Sequence, residues 1–217
     1  LDRGELKIAR DTFQAALRKS HELSDLSLRE RALSGLGTVA ERLGDYREAL
    51  EHYQDALALA RSTLERHSQA RALSNISLVY FRLGLGRQAL VYAARANHVA
   101  RRLRDLRLQV AIQQALAATL IGIGQPEESR NVYQAALEVT SRLSSPTLHS
   151  VILAGWARVN LELGDVVRAE EGFLHALDQA RSNGNRLVSL QALAGLGLCA
   201  WKKGDLEESV RRLEEAV

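Results

Sequence analysis

One glycine returns at a strict forty-residue step: Gly4, Gly44, Gly84, Gly124, Gly164 and Gly204. The chain has only 15 glycines in 217 residues, so six hits in register do not follow from composition. Self-similarity at a fixed period of this length marks an array of stacked supersecondary units. Each unit buries its apolar face only against its neighbours.

Other residues fall into the same register. Twelve places after each glycine stand Ala16, Ala56, Ala96, Ala136, Ala176 and Ala216. Nine places after it stand Phe13, Tyr53, Ala93, Tyr133, Phe173 and Leu213, mostly bulky. Seven places before it stand Gly37, Ser77, Ala117, Ala157 and Gly197, all small. Apolar positions recur at three- and four-residue steps, which is the helical period. Small residues let two helix backbones approach, and bulky ones fill the space beside them. The glycine closes a first helix. Asp45, Asp165 and Asp205 follow it as caps for a second helix, with capping-box spacing to Glu48 and Glu208.

Composition agrees. Two prolines in the whole chain leave helices uninterrupted. No run of about 18 apolar residues offers a membrane span. Cys199 is the only cysteine, which rules out an internal disulfide and fits a reduced, cytoplasmic setting. The sequence opens at Leu1 and stops at Val217 inside an amphipathic pattern, as expected for a piece of a longer array.

Leu36-Gly37, Gly44-Asp45-Tyr46, Ala49, Tyr53 and Ala56 form one motif copy; Leu196-Gly197, Gly204-Asp205, Ser209 and Ala216 form another. On these residues the chain resembles the tetratricopeptide repeat family along its whole length. A HEAT or armadillo solenoid is the alternative at this period. The resemblance implies an all-α, right-handed α-solenoid of antiparallel helix pairs, a TPR-like superhelix. The expected organisation is a single array: a partial repeat over 1–30, full repeats over 31–70, 71–110, 111–150 and 151–190, and a shortened one over 191–217. The family's usual closing proline is replaced by Arg61, Arg101, Ser141 and Arg181, so the second helix is expected to run on by roughly six residues.

The resemblance also implies a binding face: first helices line the concave wall and carry ligand contacts. Carried over, that wall holds Arg31, Ser34, Arg71, Ser74, Asn75, Leu78, Phe81, Gln114, Ile121, Arg158, Leu161 and Trp201. Phe81, Ile121, Leu161 and Trp201 stand at the forty-residue step and make one apolar row. Either the row packs on neighbouring helices, or it floors a groove for an apolar or amphipathic peptide. The family's clamp for carboxylate tails needs Lys and Asn where this chain has Ser34, Thr38, Ser74, Leu78, Gln114 and Ala118, so that specificity is not expected.

Charge is concentrated. Residues 71–110 carry eight arginines and one acid, a local net of +7 in a chain of net +3. Arg95, Arg101, Arg102 and Arg104 gather at the end of one second helix, with Arg107 just beyond. They read as a dipole-matched helix end, as a docking patch for an acidic partner, or as a nucleic-acid contact. The last is disfavoured, because Tyr92 is the only exposed-type aromatic nearby and no stacking platform accompanies the charge. Gly84-Leu85-Gly86, in the same repeat, lacks the Asp cap of its neighbours.

No catalytic residue, metal site or cofactor is expected. The histidines lack helical metal-ligand spacing, and Gly35-x-Gly37 and Gly195-x-Gly197 lie in helical pattern as packing glycines. The expected function is a non-enzymatic scaffold or sensor for a protein or a linear or helical peptide, with no membrane partner. A nucleic-acid-facing or acidic-partner docking module working through the arginine-rich repeat is the second reading, and self-association through cut ends is the third.

Overall fold

The computed structural model describes residues 3–216. Among them are eleven helices and no strand: α1 (Arg3–Glu22), α2 (Leu26–Leu43), α3 (Tyr46–Ser62), α4 (Arg66–Arg82), α5 (Gly86–Ala100), α6 (Leu106–Gly122), α7 (Pro126–Arg142), α8 (Pro146–Glu162), α9 (Val166–Ser182), α10 (Arg186–Lys203) and α11 (Leu206–Glu215). The fold is an all-α solenoid of antiparallel helix pairs. Odd-numbered helices are second helices, and α1 stands without a first. Each first helix opens five residues before the repeat bounds read from the sequence, at 26, 66, 106, 146 and 186. The chain divides into two compact units, up to Asp105 and from Leu106 onward.

The forty residues split almost evenly. First helices run 17 or 18 residues, and α3, α7 and α9 run 17 each. Arg61, Ser141 and Arg181 lie in the last turn of their helices, each of which ends one residue later, so the second helix does not run on by the roughly six residues expected and the added length is shared with the first helix. α5 is shorter, and Arg101 follows it directly.

The glycine ladder does the work expected of it at five rungs. Gly44, Gly84, Gly124, Gly164 and Gly204 all take positive φ, between 73° and 83°. Gly44, for instance, turns its N–H back onto the carbonyl of Glu41. Gly4 differs, lying in the first turn of α1 and outside the left-handed set. Asp45, Asp165 and Asp205 accept from the N–H groups of Glu48, Arg168 and Glu208, as caps should. The capping boxes do not close, however. Glu48 holds Arg10 at 2.9 Å, and Glu208 holds Arg211 and Arg212, so neither carboxylate reaches back to its cap. Leu85 opens α5 with no side-chain cap.

A second left-handed ladder runs half a period away, at Ser24, Leu64, Ser144 and Gly184, in the turns that lead into the next first helix. Only one of these is glycine. A side chain in this region costs about 1–2 kcal/mol. Leu64, at φ 59° and 74% exposed, contributes little burial in return. Leu64→Gly is therefore expected to stabilise the fold by about 0.5–1 kcal/mol, net of glycine's greater freedom in the unfolded chain. Urea unfolding followed by circular dichroism checks this, and a lower midpoint would contradict it.

Packing follows the small-against-bulky register. In the first unit, Tyr53 is fully buried, and a Cβ built on Gly37 would sit 2.6 Å from its ring. In the second unit, Phe173 packs with Leu161, Leu193 and Leu196 in a core shared by α8, α9 and α10. Tyr133 belongs to a neighbouring cluster with Val110, Ile152 and Val159.

Candidate functional site

In the first unit the expected wall residues lie on α2 and α4. Arg31 and Arg71 are exposed, Ser34, Ser74 and Asn75 half-buried, and Leu78 39% exposed. Ser34 donates to the Glu30 carboxylate at 3.1 Å. Thr38 meets the Tyr53 hydroxyl at 3.1 Å, and that hydroxyl donates to Glu41 at 3.3 Å. Burial above all, with Glu41 adding, pushes Tyr53 up to about 12 against the opposing Thr38 bond. The hydroxyl therefore remains a donor across the physiological range. Phe81 is half-buried at the end of α4.

In the second unit a cavity of about 330 Å³ opens along α6, α8 and α10. Gln114, Arg158 and Leu161 line it, joined by Val151, Gln191 and Leu198. Its floor is set by two glycines. A Cβ on Gly155 would stand 2.6 Å from the Tyr133 ring, and one on Gly195 2.4 Å from the Phe173 ring. With no side chain at these places, the two rings rise from the second helices behind and line the cavity themselves. The Arg158 charge favours ionisation of the Tyr133 hydroxyl. Even so, burial dominates and raises that phenol's pKa. Polar groups thus stand at Gln114, Arg158 and Gln191 around an apolar floor, a composition suited to holding backbone amides over a seated side chain.

The apolar row divides between packed and open positions. Leu161 is 6% exposed and belongs to the core under α10. Ile121 is half-buried against its own cluster. Trp201 is 59% exposed, and no further first helix follows α10 among the described residues to cover it. One forty-residue step therefore yields both a core leucine and an open tryptophan, because depth depends on the covering helix. Val151 and Gln191 were legible but not read: they share the register of Arg31 and Arg71. Tyr133 and Phe173 do not share that register, since they reach the wall from behind it.

The arginine-rich segment places Arg95, Arg101, Arg102 and Arg104 in the first unit, all exposed. Arg107 is exposed on the first turn of α6, in the second unit. Tyr92 does not stand alone as expected. Tyr80 stacks on it at 5.3 Å between ring centroids, and Arg95 lies 5.7 Å over the Tyr92 ring.

Cys199 is fully buried, and burial pushes its thiol up to about 11, so no reactive thiolate forms near neutrality. Among the described residues, no three His, Cys, Asp or Glu side chains gather as metal ligands, and no helix is long and apolar enough to cross a membrane.

A family model for the tetratricopeptide repeat matches residues 1–62 and 148–217, together more than half of the chain. No curated protein matches the sequence. Among solved structures, BtubC (BKLC) from P. vanneervenii is similar with a TM-score of 0.86 at 18% identity, over 97% of this chain and 89% of that one. A Podosopora anserina chain of nearly identical TPR-like repeats gives 0.73 at 18% identity, over 87% of this chain and 93% of that one. A Rap protein, solved in complex with the Competence and Sporulation Factor, gives 0.71 at 18% identity. The match takes in 88% of this chain but spans about half, 53%, of the Rap chain. At these identities the likeness is one of fold.

Proposed function

We propose, because this chain belongs to the tetratricopeptide repeat family, that it is a non-enzymatic binding module whose first-helix wall holds an extended peptide segment of a protein partner. The family supports a protein-interaction scaffold in general. The single observation that favours this wall is the cavity along α6, α8 and α10, where Gln114, Arg158 and Gln191 ring a floor made by Tyr133 and Phe173. Leu198, 48% exposed beside it, supplies an apolar contact that a bound side chain would cover. On the first unit, Arg31, Ser34, Arg71, Ser74, Asn75 and Leu78 offer a more polar wall for the same kind of ligand. The complex of a Rap protein of similar fold with the Competence and Sporulation Factor is in keeping with a sensing or scaffolding role in a cytoplasmic regulatory protein.

Selection from a random peptide display library on the immobilised chain tests the reading. Selected peptides are expected to lose at least about ten-fold in affinity on an Arg158→Ala/Leu198→Asp variant, since both residues are exposed and lie on the cavity rim. An empty selection, or peptides that bind the variant unchanged, would overturn it.

A further inference from the structure

Between Glu65 and Asp105 the chain carries eight arginines and no carboxylate. The whole of α4 and α5 therefore lacks an acid. This sets α5 apart from α3 and α11, where acids of the same helix hold arginines: Glu51 holds Arg47 in α3, and Glu208 holds Arg211 and Arg212 in α11. On α5 the exposed face runs Arg87, Val91, Arg95, His98 and, just past its end, Arg101 and Arg102. Those residues recur at three- and four-residue steps and so form one continuous stripe. None of its four arginines meets a carboxylate among the described residues. Arg95 instead lies over the Tyr92 ring. Val91 stands in the middle, 48% exposed. A hollow of about 470 Å³ opens at the stripe's end, bordered by Asn97, His98, Arg101 and Arg102.

From this we infer that the outer face of α5 is a docking surface for an acidic amphipathic helix of a protein partner, lying along the stripe. Its carboxylates meet Arg87, Arg95, Arg101 and Arg102, and its apolar side chains cover Val91. Charge complementarity selects the sign of the partner, and the apolar centre selects its class. A nucleic-acid contact needs cationic groups spread across a backbone, whereas this face is one helix wide. The second helix before it, α3, exposes Glu51 and Asp55 at the register of Val91 and Arg95 and would repel phosphates beyond the stripe. The surface lies on a second helix of the first unit and is independent of the cavity in the second.

Fluorescence anisotropy on the full chain tests the inference with three probes: a labelled synthetic helix about as long as α5, with glutamates flanking a leucine row; its scrambled counterpart; and a short DNA duplex. At about 50 mM salt the amphipathic helix is expected to bind more tightly than the scrambled peptide. An Arg95→Glu/Arg102→Glu variant is expected to weaken it by about ten-fold or more, and Val91→Asp to weaken it as well. All three positions are exposed, so circular dichroism melts should stay close to those of the parent. Arg95→Gln/Arg102→Gln gives the same comparison with a milder change. The Arg158→Ala/Leu198→Asp variant is expected to bind this probe normally, which separates failure here from failure of the cavity reading. No binding at low salt, equal binding of the scrambled peptide, indifference to charge reversal, or preferential binding of the duplex would each overturn the inference.

Discussion

Cutting Phe173 back to alanine is expected to lower the unfolding free energy of the second unit by about 3–5 kcal/mol, the usual cost of removing a fully packed aromatic ring. Phe173 is 3% exposed and shares the core of α8, α9 and α10 with Leu161, Leu177, Leu193 and Leu196. No rearrangement can fill its space cheaply, because the neighbour across the ring is Gly195, which has no side chain to move in. Against a typical stability of about 5–15 kcal/mol for a whole domain, the loss is large. The measurement is convenient here. The chain's two tryptophans, Trp156 and Trp201, lie on α8 and α10, so their fluorescence reports on the second unit while circular dichroism reports on both. A lower urea midpoint by fluorescence is the expected result. An unchanged midpoint would mean that the ring is not the keystone of that core.

The opposite substitution tests the same contact from the other side. Gly195→Val is expected to cost about 1–3 kcal/mol by overpacking. A Cβ at Gly195 would stand 2.4 to 2.5 Å from three atoms of the Phe173 ring, and the ring is walled in by buried neighbours. The two sites should be strongly coupled. Gly195→Ala in a Phe173→Leu background is expected to cost clearly less than the same change in the parent, because the smaller side chain leaves room for the methyl group. A double-mutant cycle measures this directly. Simple additivity would show that helix α10 shifts instead of the ring, and would remove Gly195 as the determinant of that spacing.

The architecture was legible because the repeat is reported by residues whose roles are local. A glycine that must be left-handed, as at Gly44 or Gly204, and an aspartate that caps the next helix, as at Asp45 or Asp205, each act within a few residues of chain. Depth was less legible. Leu161 and Trp201 occupy the same register, yet one is core and the other open, and only the presence of a covering first helix distinguishes them. The floor of the cavity was missed for a related reason. Each ring meets a glycine twenty-two residues further on: Phe13 with Gly35, Tyr133 with Gly155, Phe173 with Gly195. That pairing crosses from one repeat into the next, so it is invisible when the repeats are stacked on one another. Read across the join, the three aromatic-glycine pairs were present in the sequence. Tyr53, followed by Asn75 at that distance, departs from the rule.

The unpaired arginines of α5 illustrate a different limit. Sequence reading located the charge but could not separate a solvated helix end from a stripe. Tyr80 beneath Tyr92 and the exposed Val91 among the cations became apparent only once the helix had a face.

The shared floor of the second unit has a consequence for how such a chain can evolve. Tyr133 and Phe173 belong to the interior and to the cavity at once, and Gly155 and Gly195 are what let them show through. Any mutation that reshapes the bottom of the cavity is therefore also a mutation of the core. Drift at these four places is constrained by folding before any ligand exerts selection. The rim is free of that constraint: Arg158, Gln191 and Leu198 are exposed, and they can change one at a time at little cost to stability. Preference among ligands is thus expected to diversify at the rim, while the recess beneath it persists as an inherited shape.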